Sequence, residues 1–235
     1  MTHTATPGPL LGSGRYTDIF DLGDGRVLRR YRERAKVADR EAEVMVHARA
    51  HGVPVPEVFD ASGTDIVMER ADGPTMLRVL AQRPWTLRRQ ARLLVALHEL
   101  VHAVPGPGWL RAPFGEGTVL LHTDLHPENV ILTPFGPRLI DWQGAVRGPA
   151  EADLALTWVL IASSQVPGPV IQRAVGRTGQ GLFSATYMRA VGYLGPEWLA
   201  RAVEHRLKDP SLHAGEERRL RRLLADGRLP GRRRG

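Results

Sequence analysis

The chain has 235 residues, 43% hydrophobic and 24% charged, with a formal net charge of +7. That length can bury a sizeable core as one domain or as two lobes. It contains no cysteine, which excludes disulfides, thiolate zinc sites and thiol nucleophiles, and no apolar run reaches the roughly 18 residues of a membrane span. The first residues, Met1 to Pro7, lack the charged and apolar regions of a secretory signal, so a cytoplasmic location is expected. The positive charge is nearly all arginine, Lys36 and Lys208 being the two lysines. It reads either as a solvated arginine-rich surface with a basic tail or as the footprint of an anionic partner such as a nucleotide or nucleic acid.

In chain order, residues 1–9 read as a disordered leader. Residues 10–31 read as a β-meander, with Gly23-Asp24-Gly25 as a hairpin turn between the apolar pairs Ile19-Phe20 and Val27-Leu28. Gly12-Ser13-Gly14 before it is either a plain turn or a place where backbone N–H groups approach phosphates. A helix is expected over 35–51, carried by Ala38, Ala42, Met45 and Val46 and closed by Gly52 and Pro54. A strand follows Pro54 to Val58, another spans 65–69, and Arg70-Ala71-Asp72-Gly73-Pro74 breaks the pattern.

Thr86 is a good N-cap for a helix to about residue 104, with Leu87, Ala91, Leu94, Leu97, Val101 and Val104 as its apolar stripe. His98 and His102 on it have a possible metal spacing, but no zinc-protease context surrounds them, and they read as structural or surface histidines. Residues 105–117 form a Pro/Gly-rich loop. Helices are expected over 150–164, 170–190, 196–207 and 214–225. The first is apolar on most faces and so should be buried. Residues 228–235 read as a basic tail.

The stretch that carries chemistry is His122-Thr123-Asp124-Leu125-His126-Pro127-Glu128-Asn129, followed by Ile140-Asp141-Trp142. Strands at 130–132 and 138–140, joined by the turn residues 133–137, bring Asn129 and Asp141 to the same end of a hairpin. An amide oxygen beside a carboxylate suits Mg²⁺. Asp124 is then free to face a hydroxyl, and the set reads as phosphoryl-transfer machinery.

The spacing His-x-Asp-x-x-x-x-Asn, then Ile-Asp-Trp, resembles the aminoglycoside phosphotransferase and choline kinase branch of the protein-kinase-like fold, from about residue 11 to 158. The resemblance implies an α+β, bilobal architecture. A small β-rich N-lobe with one helix would span 10–71, and a larger, mainly helical C-lobe 72–227. It also implies roles for residues that the sequence alone leaves neutral. Arg29 falls at the strand cation that grips nucleotide phosphates, where kinases carry lysine, and Glu41 falls at its helix partner. Arg30, on the other face of the strand, is the alternative cation. Gly12 and Gly14 fall in the phosphate loop, with Thr17 where a third glycine would complete it. The Glu69 carbonyl and Ala71 N–H would bind the base, with Met68 lining the pocket. Asp153 would hold the catalytic-loop backbone, an ordinary first-turn aspartate being the rival. His122 would brace the loop and His126 support it.

The expected activity is therefore an ATP- and Mg²⁺-dependent transfer to a small-molecule hydroxyl, with GTP as another candidate donor. Asp124 would orient the acceptor and take its proton late. Arginines outnumber acidic residues after Asp153, which favours a neutral or anionic acceptor over a polycationic one. Two rivals come from other classes. One is a nucleotide-binding pseudokinase with a scaffolding role, suggested by Arg29 and the incomplete glycine loop. The other is a basic nucleic-acid-binding protein, suggested by charge, although few aromatics are interleaved with the arginines.

Overall fold

The computed structural model describes residues 6–32, 35–165, 169–209 and 212–225. The basic tail expected at 228–235 lies outside them. The described chain forms two compact units. One holds the residues up to 75 together with 128–145, and the other holds 76–127 together with the residues from 146 onward.

The first unit is built on a five-stranded antiparallel sheet. Its strands are β1 (Leu10–Ser13), β2 (Thr17–Gly23), β3 (Arg26–Tyr31), β4 (Val58–Ser62) and β5 (Asp65–Glu69), in the order β1-β2-β3-β5-β4. The β2–β3 turn carries positive φ at Gly23, Asp24 and Gly25, a conformation that glycine and aspartate tolerate and bulkier residues resist. β3 pairs Arg29 with Ile19 on one side and with Ile66 on the other. Side chains alternate across a strand, so Val27, Arg29 and Tyr31 share a face, and all three are buried.

Helix α1 (Ala35–Ala50) buries Ala38, Glu41, Ala42, Met45 and Ala48, one stripe at i, i+3, i+4 and i+7. Val44 is buried as well, whereas Val46, expected in the stripe, is exposed. The helix ends at Gly52, whose φ of 86° is a left-handed stop.

A second hairpin pairs Val130–Thr133 with Gly136–Leu139. Its turn is tighter than the expected 133–137, because Gly136 takes a φ of 115° and the Thr133 hydroxyl closes the loop onto the Gly136 carbonyl. The hairpin belongs to the sheet unit, whereas the expected boundary at 71/72 groups it with the helices. Backbone bonds explain this. Leu139 N–H donates to the Pro54 carbonyl, Leu132 N–H donates to Pro74, and Ile131 bridges Thr75. Gly73 permits the close approach, since a Cβ there would stand 2.2 Å from the Leu132 oxygen.

The second unit is mainly helical: α2 (Met76–Gln82), α3 (Leu87–His102), α4 (Ala150–Ser163), α5 (Val170–Val191), α6 (Pro196–Leu207) and α7 (Ala214–Ala225). A short ladder pairs Val119–Leu121 with Val146–Gly148. Thr86 precedes α3, but its hydroxyl donates to the Arg83 carbonyl and does not cap the helix. α4 buries Ala152, Asp153 and every residue from Ala155 to Ile161. A helix so apolar on all sides can only sit inside its unit.

Candidate active site

In the sheet unit, burial of Arg29 is matched by two carboxylates. Its Nε lies 3.2 Å from Glu41 Oε2, and its Nη2 donates to Asp141 Oδ1 at 2.6 Å. Glu41, on α1, also accepts from the Tyr31 hydroxyl at 2.5 Å and from the Trp142 amide at 2.9 Å. Burial works against the Arg29 charge, but Glu41 and Asp141 win and raise its pKa. The Glu41 carboxyl is pushed above its usual range, because burial outweighs the pull of Arg29 and the hydrogen bonds from Tyr31 and Trp142. The alternative cation, Arg30, points to the opposite face and forms a two-pronged pair with Asp65. The structure therefore puts Arg29, and not Arg30, against Glu41.

Asp141 adopts a φ of 68°. The turn sends its carboxylate to Arg29 while the next amide meets Glu41, and the Trp142 ring, buried, donates to the Leu139 carbonyl. Asn129 sits at the same hairpin end. Its carbonyl accepts from Ile140 N–H, next to the Val130–Leu139 pair. Asn129 is buried and Asp141 half-buried. Amide and carboxylate oxygens together suit a hard divalent cation, which would share the Asp141 carboxylate with Arg29.

Gly12 and Gly14 do not form a left-handed cradle, since neither has a positive φ. Their loop is instead tied down from beneath. Arg32 pairs with Asp18 and donates to the Gly14 and Arg15 carbonyls, and Ser13 donates to Asp18. The Asp18 carboxyl falls to about 2, chiefly through the Arg32 hydrogen bond. Met68 is buried on β5 opposite Val27. The Glu69 side chain is engaged by Arg138, Arg49 and the Glu57 amide. Arg70 N–H donates to the Gly25 carbonyl, and the next amide, of Ala71, donates to no group among the described residues.

The helical unit holds Asp124 in a loop fixed by a buried acid. Asp153, fully buried at the start of α4, accepts from the backbone amides of His122 at 3.0 Å and Thr123 at 2.7 Å. It also accepts from His102 Nε2 at 3.0 Å, while His98 Nδ1 stands 3.5 Å away. Burial pushes the Asp153 carboxyl up, but the histidines outweigh it and hold it well below the usual range. The loop is held at further points. The Asp124 amide donates to His122 Nδ1, and the Leu125 carbonyl accepts from Thr157, whose hydroxyl also meets His98 Nε2. Thr123 takes a φ of 67°, which turns the chain so that Asp124 follows outside this network.

The Asp124 side chain is about one-third exposed, 38%, and lies 3.5 Å from His126 Nε2. Burial raises its pKa, but His126, then His122 and Arg206, outweigh it and hold it below the ordinary value. Asp124 is an ionised acceptor at neutral pH.

Sequence reasoning missed the part played by four residues, Tyr31, Thr157, His98 and His102, the two histidines reading only as structural or surface groups with no partner named. The last three carried a readable signal. Asp153 and Thr157 lie one turn apart on an otherwise apolar helix, and His98 and His102 repeat that spacing on α3. Two matched polar pairs on buried faces imply a ladder across a helix pair.

A sequence profile described as the phosphotransferase enzyme family matches residues 9–117 and 109–202. The chain is 30% identical over 136 residues to a probable bifunctional tRNA threonylcarbamoyladenosine biosynthesis protein of Methanoculleus marisnigri, a match over 53% of this chain and 22% of that protein. It is 49% identical over 39 residues to thiamine kinase of Salmonella paratyphi B, over 17% of this chain and 14% of the kinase. The chain thus spans less than a quarter of the length of these curated relatives. Among solved structures, it resembles a thermostable mutant of the aminoglycoside phosphotransferase APH(4)-Ia in ternary complex with AMP-PNP and hygromycin B. That match has a TM-score of 0.56 and 18% identity over 96% of both chains. The likeness shows a protein-kinase-like, α+β fold.

Proposed function

The chain belongs to the phosphotransferase enzyme family, and from that membership we propose that it moves the γ-phosphate of ATP to a hydroxyl of a small molecule. The observation that carries the reading is the state of Asp124, a part-exposed, ionised carboxylate on a loop whose backbone is fixed by buried Asp153. A group held so, with its pKa below neutrality, suits a reaction with a loose transition state. There the acceptor oxygen bonds to phosphorus, the bond to the β,γ-bridging oxygen breaks, and the hydroxyl proton passes late to the carboxylate.

The remaining residues take supporting roles. Arg29, set by Glu41, grips the nucleotide phosphates. Asn129 and Asp141 supply hard oxygens for Mg²⁺, which when bound offsets phosphate charge. Met68 and the backbone of Glu69 and Ala71 receive the base, with Gly12 and Gly14 over the phosphates. His122 braces the loop and His126 keeps Asp124 ionised. ATP as donor gains support from the solved neighbour that holds AMP-PNP, and a small-molecule acceptor from the match to a thiamine kinase. The test is a phosphate-transfer screen of the purified chain with Mg·ATP against amino sugars, amino alcohols and sugars. Transfer to at least one hydroxyl, lost in Asp124→Ala, is expected. Nucleotide binding without transfer to any of them points to a scaffolding role instead.

A further inference from the structure

The helical unit contains a cavity of about 840 Å³ whose lining includes Trp158 on α4, Arg177, Met188 and Arg189 on α5, Tyr193 after it, and Arg219 on α7. Among the described residues, none that lines it belongs to the stretch 122–129 or is acidic. Three arginines therefore line the cavity with no carboxylate among its described lining residues.

Their partners sharpen the point. Arg219 donates to the Ser163 and Ser164 carbonyls at 3.1 and 2.6 Å, and Gln180 donates to the Ile161 and Ser164 carbonyls. These two side chains cap the C-terminal end of α4, where carbonyls lack helical partners. Arg219 is thus positioned by neutral oxygens, and neither Arg177 nor Arg189 forms an ion pair among the described residues. Of the described acids on α7, Glu216 is engaged by Arg206 and Ser163, and Glu217 by Arg221. Burial and then the charge of Arg177 depress the Arg219 pKa, with Glu216 opposing them more weakly.

We propose that this cavity is a binding site for a small organic anion, a carboxylate or phosphate monoester carried on an apolar or aromatic body. The arginines supply forked donors that match carboxylate and phosphate oxygens. Trp158 and Met188 supply an apolar, polarisable surface for the body. The volume is in the usual range for small-molecule sites, about 300–1,000 Å³. The site does not depend on the phosphoryl-transfer reading.

The experiment is calorimetric titration of the full chain with phenyl phosphate, benzoate and the neutral benzyl alcohol. Wild type is compared with Arg177→Gln/Arg189→Gln, whose side chains are exposed, and with Arg219→Gln. Melting temperatures report the fold of each. Saturable binding of at least one of the two anions is expected. It should weaken about tenfold or more in the double variant, as loss of a charge-assisted contact implies, and persist in Asp141→Ala, which leaves the cavity intact. Three results each overturn the proposal: no saturable anion binding up to about 10 mM, equal affinity in the double variant, or equal affinity for benzyl alcohol.

Discussion

Each unit of the molecule buries a carboxylate to hold a second one in place, but the two do it by different means. In the sheet unit Glu41 is answered first by charge, with Arg29 against it and Asp141 on the guanidinium's other side, and then by hydrogen bonds from the Tyr31 hydroxyl and the Trp142 amide. In the helical unit Asp153 is answered by hydrogen bonds, from two backbone amides and from His102. Their proton affinities move in opposite directions. Glu41 is pushed up by burial, and Asp153 is held well below its usual range. A carboxylate with no rival beside it keeps its charge more firmly than one that shares its cation with a second carboxylate. The two clusters suit different tasks: one can exchange a partner with an incoming anion or cation, and the other fixes the backbone from which Asp124 projects.

The sharpest way to break the comparison is to remove each buried acid. Glu41→Ala leaves Arg29 buried with Asp141 alone, so about 3 kcal/mol should be lost, near the lower end for breaking a buried pair. Asp153→Asn keeps size and one acceptor oxygen but leaves at least one buried donor unanswered, so about 1–3 kcal/mol should be lost. Chemical denaturation of each variant checks both values. A loss from Glu41→Ala smaller than that from Asp153→Asn would mean that charge is not what holds the sheet-side cluster.

A smaller effect sharpens the contrast through pH. Burial lowers the His98 pKa below its ordinary value near 6.5. The unfolded chain therefore binds a proton that the folded chain refuses. His98 thus favours the folded state above about pH 6.5, and that contribution is lost as pH falls below it, by at most ~1.4 kcal/mol per pH unit. Melting curves between pH 7.5 and 5.5 should show this slope in wild type and a shallower one in His98→Gln. An unchanged slope would place the titration elsewhere.

The parts of this arrangement that could be read from the sequence are those written in consecutive residues. Turn chemistry marked both hairpins, and a helix apolar all round marked α4 as buried. The 3.6-residue period located α3 to within a residue or two, and the α+β class came from the family resemblance. What the sequence hid is long-range. Arg29 meets Asp141 across 112 positions, and no local pattern encodes that contact; His102 meets Asp153 across 51, and there the matched spacing on two helices hints at a pairing without naming the partner. Val146–Gly148 pairs as a strand but is too short to show alternation, and no strand is expected there from the sequence. Val46 sits beside true stripe positions on α1 and differs from Met45 only in the angle at which it leaves the helix.

The central claim is that Asp124 serves the acceptor while Asp141 serves the nucleotide and its metal. It is tested most directly by measuring, on one preparation each of Asp124→Ala and Asp141→Ala, the rise in melting temperature caused by Mg·ATP and the rate of phosphate transfer. Asp124→Ala should keep the full wild-type rise and lose transfer by about 10²–10⁴-fold. Asp141→Ala should lose both. If Asp124→Ala abolishes the nucleotide-induced rise, or if both variants retain the rise and the transfer, the assignment of roles to these two aspartates is wrong.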